Sequence, residues 1–535
     1  MNFAVRWCLI SFPLLYGLLA LAMGQDVNWD LRNYHWYNAY AFLNGRYGFD
    51  LLPSQTPYFY NPMLDLPLYL LAQVANAHWV AFILGTLQGL NFVLLFTLAR
   101  RVMRAQIPGR DAYALLVAFV GLLGGGVLGE LGTCFYDNIV SLGVLGALNV
   151  LVLRLQQSEE RRNYTVGAWK WFVAGVPLGL VCGFKLPTCT YGVGIGLALF
   201  LYPAPFAERL RRSFFFGLGL LVGFVVALGP WALYLWQEFG NPLFPYFNNV
   251  FQSPYAPLTS ARDINFVPHG WDRLLFPFLF TLDGLRVGEV PWRDIKIVLV
   301  YVLLPLALVL WKAQGRVGYN TDNDLTNHRR TFILLAGAAS YVVWMLMFGI
   351  YRYAVPLEML AALLLYITID LFKLHAGRKR SVYLGLVFLC FATLQPADWG
   401  RRDFASQYMQ VSPAPAIPNP ERALLLMAGM QPYSHVLSAF PAAMPVVRVQ
   451  SNFASPGEDK GINAVLKARV KNHAAMPDTT FWLLVPTYDT PWVNEKILPQ
   501  FGLKAVLDKC QIISNNLGED LHLCPAQRVR NGEVK

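Results

Sequence analysis

The chain has 535 residues, of which 56% are hydrophobic and 14% charged, with a formal net charge of +11 and a mean hydropathy of +0.40. That balance excludes an ordinary soluble globular protein of this size and points to a polytopic membrane protein. The positive excess does not indicate nucleic acid as a partner: the lysines and arginines fall between apolar spans, where they set topology, and no nucleic-acid motif is present.

The first apolar span covers residues 7–23 and follows Arg6. Its end at Ala20, Leu21 and Ala22 resembles a signal-peptidase site, but the span is long for a signal segment and reads as a retained helix. Further crossings are predicted at 78–99, 111–129, 138–154, 168–184, 187–203, 213–236, 294–311, 331–349, 354–372 and 381–395, about eleven transmembrane helices in all. Residues 63–73 are apolar but short, and read as an interfacial helix in the first external loop. Basic clusters fall in alternate loops: Arg100, Arg101 and Arg104; Arg154, Arg161 and Arg162; Arg209, Arg211 and Arg212; Lys312, Arg316, Arg329 and Arg330; Arg378, Lys379 and Arg380. By the positive-inside rule those loops and the N-terminus are cytoplasmic, and the C-terminal tail is on the opposite side. Two domains are expected: a membrane domain over 1–395 and a small C-terminal α/β domain over 396–535, the latter from its apolar runs near 481–486 and 504–507.

Seven cysteines are spread thinly, with no CxxC or metal-ligand spacing. Cys8, Cys182, Cys189 and Cys390 lie in apolar spans and read as small core residues. Cys510 and Cys524 lie in the polar tail, where a disulfide and two free thiols are equally open to an extracytoplasmic domain.

Chemistry concentrates in the predicted external segments. Residues 26–62 hold carboxylates, His35, two arginines and many aromatics, and Asp30, Asn33, Tyr34, Tyr37 and Asn38 recur at helical spacing, so one face of a short helix brings an acid, amides and phenols together. Interfacial aromatics need no chemistry, which is the competing explanation. The second loop, GELGTCFYDN, carries Glu130 and Asp137, either to orient a base or bind acceptor, or simply as solvated carboxylates. The turn GFKLPT carries Lys185, and IYRYAVPLE carries Arg352, Tyr353 and Glu358. A charge at membrane depth costs roughly 2.5 to 3.5 kcal/mol on insertion scales, which makes Lys185 and Arg352 functional candidates against the alternative of snorkelling. Residues 240–294 form a long aromatic loop in which Asp263 is a further candidate. A lone His such as His35 is more often structural than catalytic. The triplet Asp322, Asn323, Asp324 reads as a solvated turn.

This layout resembles the GT-C superfamily of membrane glycosyltransferases, especially the protein O-mannosyltransferases and lipid A aminoarabinose transferases of family 39 type. The resemblance rests on Asp30 and Tyr34 with Leu43 and Gly45 after the first span, on YFYNPMLDLPLY before the second, and on RYAVP late in the chain. NPLFPYFNNVFQSP is similar to a segment of bacterial members of the group. The resemblance implies an inverting transfer of sugar from a polyprenyl-phosphate-linked donor to a lipid, glycan or protein acceptor, at the periplasmic face of a bacterial inner membrane. It implies Asp30 as catalytic base, with Asp26 second, and Arg352 and Lys185, with Tyr353, as the donor-phosphate site. Asp26, Tyr34, His35, Glu130, Asp137 and Asp263 are the candidate substrate contacts. Members that use pyrophosphate-linked donors hold a metal between paired carboxylates; here Asp26 and Asp30 are separated by VNW, so no metal and no cofactor is expected. Two other classes compete: a transporter or flippase of lipid-linked sugars, expected to carry ionisable groups inside its spans and internal repeats, and an assembly protein that kept the scaffold without the chemistry.

Overall fold

The computed structural model describes residues 3–160, 167–313, 321–372, 374–413 and 415–529. Arg161, Arg162 and Arg316 of the basic clusters lie outside the described residues. The chain is mostly helical, and among the described residues six helices are long and apolar enough to cross a membrane: Phe3–Met23, Ala77–Val102, Asp137–Ser158, Phe206–Phe239, His328–Met347 and Tyr351–Leu371. Three apolar helices are shorter: Ala168–Phe184, Leu186–Leu201 and Lys296–Leu310. The predicted crossings at 111–129 and 381–395 form helices Arg110–Leu122 and Ala376–Thr393, which are not among the six. The first is only 13 residues long because the chain turns at 123–124 into a second short helix, Gly125–Gly129.

Two compact units divide the chain. One comprises Met1–Met23, Ala81–Pro230 and Asp263–Trp399; the other comprises Gly24–Val80, Trp231–Arg262 and Gly400–Lys535. The first unit packs around Val355–Leu371, which touches Arg110–Leu122, Asp137–Glu160, Lys296–Ala313 and Thr321–Met347. A helix apolar on all sides is a central helix, and this one is buried from Val355 through Ile369. This helix nonetheless carries charge: Glu358 is wholly buried in its first turn and Asp370, near its last, bonds the buried Arg330 at 2.5 Å. Asp322 to Asp324 are not a turn: Thr321–Met347 opens with them. The long loop at 240–294 is also more regular than its composition suggests, with a helix at Asp272–Leu282.

The second unit carries the β-structure. β1 (Gln25–Asp26) pairs with β2 (Arg401–Arg402). The larger sheet contains β3 (Val411–Ser412), β4 (Ala423–Met427), β5 (Val446–Arg448), β6 (Thr480–Pro486), β7 (Leu503–Ala505), β8 (Gln511–Asn515) and β9 (Leu521–Arg528). Its order is β3-β8-β9-β6-β4-β5, with β7 also on β9. β5, β4 and β6 are parallel, and helix Ile462–Ala475 makes the crossover from β5 to β6. Parallel strands covered on both faces read as continuous apolar runs, and ALLLM of β4 is buried at every position. This places the sequence-derived runs near 481–486 and 504–507 on β6 and β7.

The 395/396 boundary is refined by the first external segment, which joins the tail's sheet. Leu51 bridges β5, taking a bond from Arg448 N at 3.0 Å and giving one to Val446 O at 2.8 Å. Beside it Asp50 accepts from Arg46 (2.5 Å), Tyr37 (2.6 Å) and Val446 N (2.9 Å), while Arg46 also caps the carbonyls of Ala442 and Met444 at 2.7 Å. Cys510 and Cys524 form a disulfide across β8 and β9, 14 residues apart in sequence. Closing a loop of that length contributes about 3 kcal/mol in the chain-entropy account. Replacing both cysteines by serine is therefore expected to lower the stability of this unit by about that amount, read as a shift in its thermal unfolding midpoint; an unchanged midpoint would contradict the entropic account.

Candidate functional site

In the first unit, three chain breaks converge on Phe135. Residues 129–136 link Gly125–Gly129 to the helix opened by Asp137. Lys185 caps the C-terminus of Ala168–Phe184, where a cation meets the negative end of the helix dipole. Arg352 and Tyr353 sit in the single turn Tyr351–Ala354, and Pro356 starts the next helix in its first turn, where a missing N–H costs nothing.

Lys185 Nζ donates to the Phe135 carbonyl at 2.7 Å and to Asp137 Oδ2 at 2.5 Å, and lies 5.4 Å from the Tyr353 ring centroid. The Arg352 guanidinium stacks 4.3 Å from the Phe135 ring centroid and reaches Glu289, on the exposed side, at 3.5 Å. Glu130 completes the group. It is fully buried, and neither carboxyl oxygen has a hydrogen-bond partner among the described residues. Burial, and then the charge of Asp137, push its carboxyl well above the usual range, against the pull of Lys185 and Arg352. The structure thus brings together Glu130, Asp137, Lys185, Arg352 and Tyr353. It also corrects the alternative of solvated carboxylates, since Glu130 is 0% and Asp137 2% exposed.

Sequence reasoning gave no role to the groups that position this cluster. Glu358 accepts from Gly126 N (3.2 Å) and Val127 N (3.1 Å), and Asp294 accepts from Gly125 N (3.3 Å). Lys296, itself wholly buried, bridges Asp294 (2.5 Å) and the Leu123 carbonyl (3.2 Å). These bonds fix the turn that presents Glu130. A side chain at Gly124 or Gly126 would run into the Glu358 carboxylate, which explains the glycines there. The available signal was a carboxylate and a lysine at the starts of apolar helices, where isolated charge is costly.

In the second unit, Asp30 is half-buried and accepts from the Tyr34 hydroxyl at 3.2 Å, across the wide turn Leu31–His35 that leads into helix Trp36–Leu43. The predicted shared face is only partly realised. Tyr37 bonds Asp50, Asn33 donates to the Ser54 carbonyl (3.2 Å), and Asn38 donates to the Pro57 carbonyl (2.8 Å). These three side chains hold the loop. His35 pairs with Asp65 at 2.6 Å, both buried. Asp26 is buried and bonds the backbone and side chain of Asn28 at 2.8–3.0 Å, a local turn. Asp263, which belongs to the first unit, is exposed and accepts from Asn265 N at 2.9 Å, a local turn. Among the described residues the one group with metal-ligand spacing is Cys510, His522 and Cys524, and its disulfide leaves no thiolate to bind an ion.

Comparison with known proteins adds no relative: no family model, no curated protein and no solved structure matches the chain.

Glu130 and Asp137 respond oppositely to neutralisation. A carboxyl whose folded pKa is raised contributes stability below its unfolded value, and that contribution is lost as pH rises through the folded value. The wild type is thus expected to lose thermal stability as pH rises above about 4.5, and Glu130→Gln to flatten that slope. Asp137→Asn removes the partner of the part-buried Lys185 and is expected to destabilise the fold, by less than the roughly 3–5 kcal/mol of a fully buried pair. Thermal unfolding of both variants across pH 4.5–9 checks this, and a steep slope kept by Glu130→Gln would refute the assignment.

Proposed function

We propose that this chain is a membrane glycosyltransferase of inverting type, moving a sugar from a polyprenyl phosphate to an acceptor hydroxyl on the periplasmic side of a bacterial inner membrane. The observation that carries this reading is the gathering of Lys185 and Arg352, from separate helices, on Phe135 at the ends of apolar helices. Two cations of this kind suit a lipid phosphate: guanidinium offers two parallel donors and ammonium a point charge.

In the proposed reaction the acceptor oxygen attacks the anomeric carbon from the face opposite the lipid phosphate. The new C–O bond forms as the bond to the phosphate oxygen breaks, and the configuration inverts. Asp30 is the base that the family resemblance implies for the acceptor proton, and Tyr34 bonds its carboxylate at 3.2 Å. The departing phosphate keeps the electron pair, and Arg352 and Lys185 meet its growing charge. The acceptor oxygen belongs to a lipid, glycan or protein. Glu130, whose carboxyl is pushed above the usual range by burial and by the charge of Asp137, lies beside the cations as a candidate proton donor to a phosphate oxygen.

A second reading, a flippase of lipid-linked sugars, draws support from Glu358 and Lys296, buried ionisable groups within apolar helices. Their bonds to the turn at 123–127 give them a structural task that a transport path does not require.

Purified protein reconstituted with a labelled polyprenyl-phosphate sugar separates the two. Asp30→Asn is expected to slow transfer by about 10²- to 10⁴-fold while keeping lipid binding, and Arg352→Gln to weaken lipid binding. Movement of the labelled lipid across vesicles, without transfer to any acceptor, would sink the enzyme reading and favour the flippase.

A further inference from the structure

The second unit holds a cleft that the proposed chemistry does not use. It is lined by Arg32, Tyr433, Pro486, Asn515, Gly518 and Glu519, among others. Its place in the sheet is informative. From β4 the chain passes to β5 on one side, then through Ile462–Ala475 to β6 on the other. Connections that leave a parallel sheet in opposite directions open a crevice at the strands' carboxyl ends, where α/β sheets take ligands. Tyr433 follows β4 and Pro486 ends β6, so the cleft lies at that switch point.

Arg32 in the cleft wall and Arg448 behind it form no ion pair among the described residues, although the charges of Glu519 and Asp26 act on Arg32 through space. Arg32 is mostly buried, and its Nε has no hydrogen-bond partner among the described residues. Arg448, at the carboxyl end of β5, is 0% exposed. Its Nη1 donates to the carbonyls of Gly429 (2.9 Å) and Gln431 (3.1 Å), while Nε and Nη2 have no partner among the described residues. The guanidinium stacks 4.4 Å from the centroid of Tyr433, a wall of the cleft. A buried charge without a counter-ion is costly, and the low local dielectric behind Tyr433 screens its field little.

The surrounding loop is braced. His435 bonds the Arg32 carbonyl through Nδ1 (3.0 Å) and Asn515 Oδ1 through Nε2 (2.9 Å), and Asn515 Oδ1 also accepts from Leu517 N (3.1 Å) and Gly518 N (2.6 Å). Arg402 adds positive charge and holds the Gly518 carbonyl at 3.0 Å. Glu519 is the opposing charge, and it acts on the neighbouring Tyr488 hydroxyl. We propose that this cleft binds the oxyanion of a small ligand, a phosphate or a carboxylate, with Arg32 as the direct donor and the buried Arg448 charge reinforcing it.

Calorimetric titration of the full chain with sodium phosphate, and separately with sodium acetate at constant ionic strength, tests this. The Arg352→Ala protein is the background, so that the donor-phosphate site proposed above does not contribute. Saturable binding is expected, weakened at least tenfold by Arg32→Gln. Glu519→Gln is expected to tighten it severalfold, a gain that misfolding cannot produce. Binding of phosphate alone assigns a phosphoryl ligand, and comparable binding of acetate assigns a carboxylate. No saturable binding of either anion, or equal affinity in Arg32→Gln, would overturn the proposal.

Discussion

Buried charge sets the constraint on which the candidate site in the first unit depends. A carboxylate or ammonium taken out of water persists only with a partner in good geometry, and the turn at 123–127 is built from such pairs. Asp294 and Lys296 neutralise each other at 2.5 Å and together hold Leu123 and Gly125, while Glu358 holds Gly126 and Val127. With that turn fixed, Glu130 has a defined position. Lys185 and Asp137, paired in the same way, then fix the Phe135 carbonyl. Glu130 departs from the pattern, since neither of its oxygens is bonded among the described residues, and an exception inside a satisfied network is where chemistry is most economically placed.

The second unit solves the same problem at a sheet edge. Asp50 satisfies Arg46, Tyr37 and the Val446 amide at once, and so makes the first external segment part of the β5 edge. An uncovered edge strand offers unpaired donors and acceptors to any passing chain; Leu51 occupies this one. The same segment carries Asp30 and Tyr34, so the residues proposed for proton transfer are held by a folded domain and not by a free loop.

Charge compensation also differs in kind between the two places where arginine is buried. Arg352 has an aromatic face and a distant carboxylate, Glu289, at the rim. Arg448 has an aromatic face and two carbonyls but no carboxylate among the described residues. Guanidinium tolerates such settings better than ammonium because it is planar and weakly hydrated. Arg448 keeps Nε and Nη2 without a hydrogen-bond partner among the described residues, which is the feature that the cleft proposal draws on.

The sequence by itself determined the membrane class, the C-terminal sheet region and the choice of Lys185 and Arg352 as candidates, because these follow from composition, from apolar runs and from the cost of charge at membrane depth. It overestimated the regularity of the spans: hydropathy reports that a segment is apolar, not that it runs straight for the thickness of a bilayer, and the break at residues 123–124 is a glycine turn held from a distance. Only the tertiary structure decided that Glu130 and Asp137 are buried, since loop position in sequence says nothing of what packs over it. It alone revealed Asp294, Lys296 and Glu358 as one clamp, because their partners lie some 170 and 230 positions away in the chain. It also took Tyr37, Asn33 and Asn38 away from Asp30: helical spacing sets which side chains share a face, but the backbone and carboxylate groups lying opposite that face choose their partners.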